Sequence, residues 1–293
     1  MPLSDAPALR CGSRVLGLAR PRIMGVLNVT PDSFSDGGAH ARPEQALARA
    51  RAMVEEGADI IDIGGESTRP GADPVPLAEE RRRVLPVIEA LHAELDVVLS
   101  VDTMKPELMR EAVAAGAGLL NDVNGFRADG ALEAAVTAAR DHGAALCAMH
   151  MQGEPQSMQQ APRYGDVVTD VGAFLAGRAQ ELETAGVPRE QILLDPGFGF
   201  GKTLEHNVGL FRGLDRLAQL GWPLLVGVSR KSMIGALLGD RPVTERGPGS
   251  VIAALLAVQQ GARIVRVHDV AATRDALALY CALSPASRAG QDA

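Results

Sequence analysis

The chain repeats one pattern eight times: an apolar run rich in β-branched residues ends in a polar or charged residue, and a helix-patterned stretch follows. The residues that end these runs are Asn28, Asp62, Asp102, Asn121, His150, Asp195, Ser229 and His268. Strands that alternate with helices indicate a parallel sheet, and eight such units can close into a barrel. In that fold the chemistry lies in the loops at the carboxyl ends of the strands. The pattern therefore predicts both a barrel and the rim that carries its site.

We predict an α/β protein made of a single (β/α)8 TIM barrel at residues 21–284, since 293 residues is an ordinary length for that fold. Residues 1–20 are predicted to form an N-terminal extension or small hairpin, and residues 285–293 a frayed tail. An open, doubly wound parallel sheet is the alternative. The strands are expected at 23–28, 59–63, 97–102, 118–122, 144–150, 192–195, 224–229 and 264–268. The helices are expected to begin near Pro43, Leu77, Pro106, Gly130, Gly165, Asn207, Gly247 and Asp269.

Composition excludes several classes of protein. A net charge of −7 disfavours nonspecific binding to nucleic acid or to an anionic membrane. No stretch approaches the roughly 18 apolar residues that a membrane span needs, and the first ten residues lack the apolar core of a signal peptide. The three cysteines are widely spaced, which argues against a zinc site and against a disulfide framework. We expect a cytoplasmic protein that binds neither nucleic acid nor membrane.

Lysine is rare in this chain, with only Lys105, Lys202 and Lys231, and each follows a predicted strand. Arginine supplies the remaining basic charge, so a lysine at the rim suggests a need for a compact ammonium group. We interpret Lys231 as functional. For Lys105 and Lys202, chance placement on exposed loops remains the preferred interpretation.

The segment 195–203, DPGFGFGKT, resembles a phosphate-binding loop only superficially, because a Walker A motif would require glycine where Pro196 stands. Its alternating glycines around Phe198 and Phe200 suggest a backbone held close to a flat ligand. Phe34 also lies in a predicted rim loop, and aromatic rings stack on planar molecules. Phe126 is interpreted instead as a plug of the barrel mouth.

Two groups of rim residues suggest what the ligand is. Arg266 and His268 alternate on the last strand and face the same way, where phosphate often binds in such barrels. A cradle for an anion and a metal would add Asn28, Arg69 and the hydroxyls of Thr30, Ser33 and Ser35. The second group, Asp102, Asn121 and Asp195, could accept hydrogen bonds from a guanidine-like heterocycle. Binding of a divalent metal and capping of the following helices are the alternatives for this second group.

Seven motifs, each at a predicted strand exit, together resemble the bacterial dihydropteroate synthase family. They are NVTPDSFSDGG at 28–38, DIGGESTRPG at 62–71, SVD at 100–102, NDV at 121–123, LDPGFGFGK at 194–202, SRKS at 229–232 and IVRVHDV at 264–270. The resemblance extends over residues 21–283. It implies an enzyme that joins 6-hydroxymethyl-7,8-dihydropterin pyrophosphate to p-aminobenzoate, releasing pyrophosphate and 7,8-dihydropteroate for folate biosynthesis.

The resemblance also implies roles for individual residues. The residues implied to bind the pterin are Asp102, Asn121, Asp195 and Lys231. Those implied to bind pyrophosphate are Asn28, Thr68, Arg69, Arg266 and His268, with the Mg2+ cofactor near Asn28. Those implied to bind p-aminobenzoate are Phe34, Thr68, Pro70, Phe200, Lys231 and Ser232. The residues implied to be catalytic are Asp36, Asp102, Lys231, Arg266 and His268, with Asp36 on a first loop that would order over the pyrophosphate.

The implied chemistry is a dissociative substitution, in which the pterin delocalises a developing methylene cation and no dedicated general base is needed. Family members are homodimers and sulfonamide targets, so both properties are expected here. Two alternatives differ in function. A methyltetrahydrofolate:corrinoid methyltransferase would bind a pterin but would have no need of the anion-binding residues. A non-catalytic paralogue would typically lack the first-loop residues that this chain retains.

Overall fold

Eight parallel strands hydrogen-bond in chain order and close into a barrel, the last of them pairing with the first. The computed structural model describes residues 7–30, 41–68, 71–154 and 157–283. The barrel strands are β3 (Arg22–Asn28), β4 (Ile60–Gly64), β5 (Val98–Asp102), β6 (Leu119–Asp122), β7 (Ala145–Met149), β8 (Ile192–Asp195), β9 (Leu224–Val226) and β10 (Ala262–Val267). The predicted barrel is confirmed, and the open-sheet alternative is wrong.

Helices follow the strands and form the outer layer. Their bounds are α1 (Ala41–Glu56), α2 (Leu77–Glu94), α3 (Pro106–Ala114), α4 (Ala131–His142), α5 (Val167–Thr184), α6 (Leu204–Arg212), α7 (Leu214–Ala218), α8 (Ser232–Leu237), α9 (Gly247–Gln259) and α10 (Val270–Leu283). Pro106 is the first residue of α3, where its missing N–H costs nothing. The short helices α7 and α8 were not predicted. Strand β9 also ends at Val226, three residues before the predicted end at Ser229.

An antiparallel hairpin of β1 (Ala8–Cys11) and β2 (Arg14–Gly17) precedes the barrel. Buried side chains of the hairpin pack against a layer of inward-facing residues that every barrel strand supplies. The hairpin contributes Leu9, Cys11 and Leu16, and Leu18 follows directly after it. The barrel contributes Met24, Ile60, Val98, Leu119, Ala145, Cys147, Leu193, Leu225 and Ile264. The amino-terminal end of the barrel is therefore closed by apolar packing, which leaves the carboxyl-terminal end for a site.

Alternation along each strand separates two environments. Ile61, Ile63 and Val101 face outward into the apolar layer shared with the helices. Asp62, between Ile61 and Ile63, and Ser100, just before Val101, face inward and hydrogen-bond to each other. Because side chains alternate with a period of two, a strand that packs apolar residues outward must point its inward positions at one shared axis.

Candidate functional site at the barrel mouth

Strand register brings the predicted polar residues to one level of the barrel. Asn28 pairs with Gly64, Gly64 pairs with Asp102, and Asp102 pairs with Asn121 in adjacent strands. Asp195 ends β8 on the far side of the mouth. Asp102, Asn121 and Asp195 are all buried, whereas Asn28 is half-buried. The grouping of these residues at one rim follows from strand geometry and not from loop conformation.

Asp62 is the centre of the polar network. The strand pattern places it among the eight rim residues but indicates no role for it. Its Oδ1 accepts a hydrogen bond from Ser100 Oγ at 2.6 Å. Its Oδ2 accepts from Asn121 Nδ2 at 3.2 Å and from Arg266 Nε at 2.6 Å. A fully buried carboxylate with these partners holds the side chains around it in place.

Arg266 spans two carboxylates across the mouth. Its Nε donates to Asp62 and its Nη2 donates to Asp102 Oδ2 at 2.8 Å. Burial by itself would lower the pKa of Arg266, but the charges of Asp62 and Asp102 outweigh it and raise that pKa. The guanidinium therefore stays charged, and it carries more N–H donors than these two bonds use. An anionic ligand could take the remaining donors.

Asp102 has one buried oxygen, Oδ1, that has no hydrogen-bond partner among the described residues. Burial raises the pKa of this carboxyl to about 7, against the lowering effect of Arg266, and the nearby charge of Asp62 adds to the rise. Burial likewise raises the pKa of Asp195, whose Oδ1 accepts from the Gly197 N–H at 2.7 Å. A ligand with N–H donors would relieve both carboxylates.

Lys231 lies at the opposite wall of the mouth, just before α8. Its ammonium donates to the backbone oxygen of Phe198 and lies 4.5 Å from the centre of the Phe200 ring. Burial lowers the pKa of Lys231 to about 8, and the charge of Asp195 opposes that effect. The arrangement places a cation and a partly exposed aromatic face together. The two groups can contact different parts of one ligand.

His268 follows β10 on the same face as Arg266, and its Nδ1 lies 3.0 Å from Ser229 Oγ. Ser232 is exposed as the first residue of α8, and Thr68 is half-buried in the loop after β4. Thr30 is half-buried after β3. The structure thus brings the described candidates to one mouth. The remaining candidates, Ser33, Phe34, Ser35, Asp36, Arg69 and Pro70, lie outside the described residues.

Four sequence interpretations need correction. Phe198 does not face a ligand, because its side chain is fully buried and packs against Phe211 with ring centres 5.8 Å apart. Lys202 is not on an exposed loop, since only 3% of it is exposed. Lys105 is not loosely placed either, because it forms ion pairs with Glu66 and Glu80. Phe126 is buried in the apolar core.

Among the described residues there is no group of three or more His, Cys, Asp or Glu side chains that could hold a metal ion. None of the helices in the described ranges is both long enough and apolar enough to span a membrane.

Comparison with known proteins identifies what this mouth resembles. The family described as pterin binding enzymes matches residues 24–268. The dihydropteroate synthase of Haemophilus influenzae is 50% identical over 278 residues, covering 95% of this chain and 99% of that protein.

Solved structures agree with the family match. A dihydropteroate synthase of Xanthomonas albilineans with 4-aminobenzoic acid superposes with a TM-score of 0.88 at 53% identity, covering 95% of this chain and 98% of that one. The Yersinia pestis enzyme with a sulfonamide drug gives 0.88 at 48% identity, with 97% and 100% coverage. The Burkholderia cenocepacia enzyme with 7,8-dihydropteroate gives 0.86 at 53% identity, with 97% and 98% coverage.

Proposed function

Because the chain belongs to the dihydropteroate synthase family of pterin-binding enzymes, we propose that its barrel mouth binds the two substrates of that reaction through the residues described above. The enzyme is a transferase of folate biosynthesis that makes 7,8-dihydropteroate from 6-hydroxymethyl-7,8-dihydropterin pyrophosphate and p-aminobenzoate. The corrinoid methyltransferase alternative is therefore wrong. The assignments of individual residues to parts of the substrates are our proposal.

The pterin ring is assigned to Asp102, Asn121, Asp195 and Lys231. Asn121 commits its amide nitrogen to Asp62, so its oxygen is available to accept from a ligand. Together with the carboxylates of Asp102 and Asp195 it offers acceptors to the amino and ring N–H groups of a pterin. The unpartnered Oδ1 of Asp102 supports this assignment most directly, because a buried polar oxygen costs free energy until a donor reaches it.

The pyrophosphate is assigned to Arg266 and His268, with Asn28, Thr68 and Arg69 completing the cradle. Two carboxylates hold the Arg266 guanidinium in position before any substrate arrives. Donors fixed in advance do not need to reorganise when negative charge grows on the leaving group. The residues of the first loop, including Asp36, are assigned to covering this anion.

The p-aminobenzoate is assigned to the region around Lys231, Phe200 and Ser232, together with Thr68, Pro70 and Phe34. The Phe200 ring, which lies beside the Lys231 ammonium, supplies a flat apolar surface for the ring of the amine. The exposed hydroxyl of Ser232 supplies a hydrogen-bond donor for its carboxylate. Lys231 lies between this region and Asp195, whose charge affects its pKa. It can therefore contact both substrates at the junction where the new bond forms.

The reaction is proposed to proceed by loss of pyrophosphate ahead of attack by the amine. The amine nitrogen is already a neutral nucleophile, so the demanding step is the breaking of the bond from the methylene carbon to oxygen. The pterin ring spreads the positive charge that develops on this carbon. Arg266 and His268 stabilise the departing anion, and Lys231 with Phe200 holds the amine in line. Formation of the carbon–nitrogen bond releases one proton from the amine, which passes to water or to the departing pyrophosphate, so no residue is assigned as a general base.

Mg2+ is proposed as the cofactor, with Asn28 as its protein ligand. Magnesium that binds together with substrate phosphates needs only one or two protein oxygens, and the half-buried carboxamide of Asn28 at the end of β3 supplies one. When bound, the ion would neutralise charge on the pyrophosphate oxygens.

Sulfonamides mimic p-aminobenzoate, so we predict that they inhibit this enzyme in competition with that substrate. The expected inhibition constant is in the micromolar range, or about −8 kcal/mol of binding free energy. The measurement is a steady-state assay of dihydropteroate formation with each substrate varied in turn. Inhibition that competes with the pterin substrate instead, or no inhibition at micromolar concentration, would contradict the assignment of the amine site.

We also propose that the enzyme is a homodimer formed through α9 and α10, which pack side by side. Ile252 and Leu256 on α9 and Leu279 and Leu283 on α10 are exposed large apolar residues. Sedimentation should show a dimer at micromolar concentration, and Ile252→Glu should shift it toward monomer. Val15→Glu changes an equally exposed residue on the hairpin and should leave the dimer intact. A stable wild-type monomer would refute the proposal.

We propose a cytoplasmic location because the cysteines are free thiols. Cys11 and Cys147 are both buried and free, and burial raises the pKa of each thiol. Such thiols are unreactive core residues, which suits a reducing compartment.

A further inference from the structure

The glycine-rich loop at residues 197–201 is held by side chains at every carbonyl oxygen. Lys202 donates to Gly197 and Phe200, Lys231 to Phe198, Gln159 to Gly199 and Tyr164 to Gly201. A loop with five consecutive side-chain anchors is fixed as firmly as a regular element, although it belongs to none.

Glycine is required at alternate positions of this loop. Gly197, Gly199 and Gly201 have φ values of +68°, +81° and +62°. A Cβ atom on Gly197 would lie 2.0 Å from the His150 backbone oxygen, and one on Gly201 would lie 2.3 Å from that of Gln152. The backbone therefore packs directly against the neighbouring loop, which leaves Phe200 and Lys231 as the parts of this wall that face the mouth.

The Lys202 ammonium lies inside a cage of acceptors. Its Nζ is 2.9 Å from the Gly197 oxygen, 3.1 Å from the Phe200 oxygen and 2.9 Å from His150 Nδ1, and the His150 backbone oxygen is at 3.4 Å. The cage is nearly closed to solvent, since only 3% of Lys202 is exposed. Burial lowers the pKa of Lys202 to about 7, and the hydrogen bonds from its N–H groups offset part of the cost of enclosing the charge.

His150 completes the cage in one protonation state. Its Nδ1 can accept from Lys202 only if it carries no proton, and burial together with the Lys202 charge lowers the pKa of His150 to about 3. The ring is fixed from the other side by Phe174, which meets it edge-on with centres 4.9 Å apart. Lys202 and His150 thus form a rigid support behind the loop.

We propose that Lys202 is a positioning residue for the p-aminobenzoate half of the site, fixing the loop that carries Phe200 and the Phe198 carbonyl that orients Lys231. The proposal rests on the function proposed above. Lys202 is enclosed behind the loop, so it acts through Phe200 and Lys231 and not on the substrate. Asp102 and Asn121 belong to strands β5 and β6 and do not depend on this loop.

The test is Lys202→Met, which keeps an unbranched side chain and removes the ammonium. We expect the KM for p-aminobenzoate to rise at least tenfold. The dissociation constant of dihydropterin pyrophosphate, measured by calorimetry with Mg2+, should rise by a smaller factor. Two of its assigned residues, Asp195 and Lys231, contact the loop, whereas Asp102 and Asn121 do not. A folded variant whose KM for p-aminobenzoate stays within twofold of wild type would overturn the proposal, as would equal losses for both substrates.

Thr203→Ala is the matched control, because it removes the amino-terminal cap of α6 next door and leaves the cage intact. It should lower the unfolding temperature without changing either constant more than twofold.

If Lys202→Met does not fold, the variants His150→Leu and His150→Gln test the proposal in its place. Leucine removes the Nδ1 acceptor and should raise the KM for p-aminobenzoate. Glutamine offers an oxygen as acceptor and should bring that KM back toward the wild-type value. Equal KM values for the two His150 variants would overturn the proposal. Absence of wild-type turnover would count against the proposed function and not against Lys202.

Discussion

Arg266→Met is expected to reduce kcat/KM by at least about 10²–10³-fold, the typical loss when a fixed donor to developing negative charge is removed. It should also lower the free energy of unfolding by roughly 3–5 kcal/mol, because removing one partner strands the other charges of a buried ion pair. Here two carboxylates, Asp62 and Asp102, lose their cation at once. Steady-state kinetics and urea unfolding measure the two effects.

A double variant separates these effects. Adding Asp62→Asn to Arg266→Met removes one stranded charge, so it should recover part of the stability but none of the activity. Arg51→Met is the control for a surface ion pair, since Arg51 pairs with Glu94 in an exposed position, and it should leave both measurements near wild type. Turnover of Arg266→Met within tenfold of wild type would show that Arg266 does not act on the leaving group.

Asp102→Asn is expected to weaken use of the pterin substrate by about 10²–10³-fold with little change in stability. The side-chain oxygen that faces Arg266 must remain an acceptor, so the new NH2 group takes the position of the unpartnered Oδ1. A donor then meets the donor edge of the pterin. Losing a charged hydrogen bond and leaving a donor unpaired together cost about 3–4 kcal/mol. Because roughly 1.4 kcal/mol corresponds to a tenfold change in an equilibrium constant, this cost gives the predicted loss.

The kinetics should be measured at a pH between the pKa of Asp102, which burial raises to about 7, and the pKa of Lys231, which burial lowers to about 8. There the wild-type carboxylate is mostly ionised and the Lys231 ammonium is mostly protonated. Asp122→Asn is the matched control. Asp122 is equally buried on the adjacent strand β6, but it accepts from the backbone N–H groups of Asn124 and Phe126. Its replacement should lower stability and leave the KM for the pterin substrate within a few fold. Equal kinetic losses in both variants would contradict the pterin assignment.

Much of the fold and site could be predicted because strand periodicity fixes where a strand ends and which residues share a face. Asp102 and Asp195 end their strands as predicted, and Arg266 and His268 share a face. The role of the inward positions one step deeper was missed. Asp62 is predicted at the rim without a role, and its hydrogen bond with Ser100 joins two strands, which no pattern within a single strand encodes.

Other features depend on contacts between distant parts of the chain. The pair of Arg266 with Asp62 joins the last strand to the second strand of the barrel, and no local pattern encodes it. The glycine loop could not be interpreted correctly because alternation assigns faces only in extended strands, whereas this loop has repeated positive φ values. Phe198 therefore faces the core while Phe200 faces Lys231. The cage around Lys202 closes only when the loop after β7 packs against it.

The most direct test of the account is a rapid-quench measurement of pyrophosphate release from dihydropterin pyrophosphate with Mg2+, with and without p-aminobenzoate. The account predicts that release with the amine present matches dihydropteroate formed. Without the amine, release should still occur, to the extent of the enzyme sites, because bond breaking precedes attack. Release that strictly requires the amine would contradict the dissociative step. Tight binding of the pterin substrate with no release under either condition would indicate a non-catalytic paralogue and contradict the whole account.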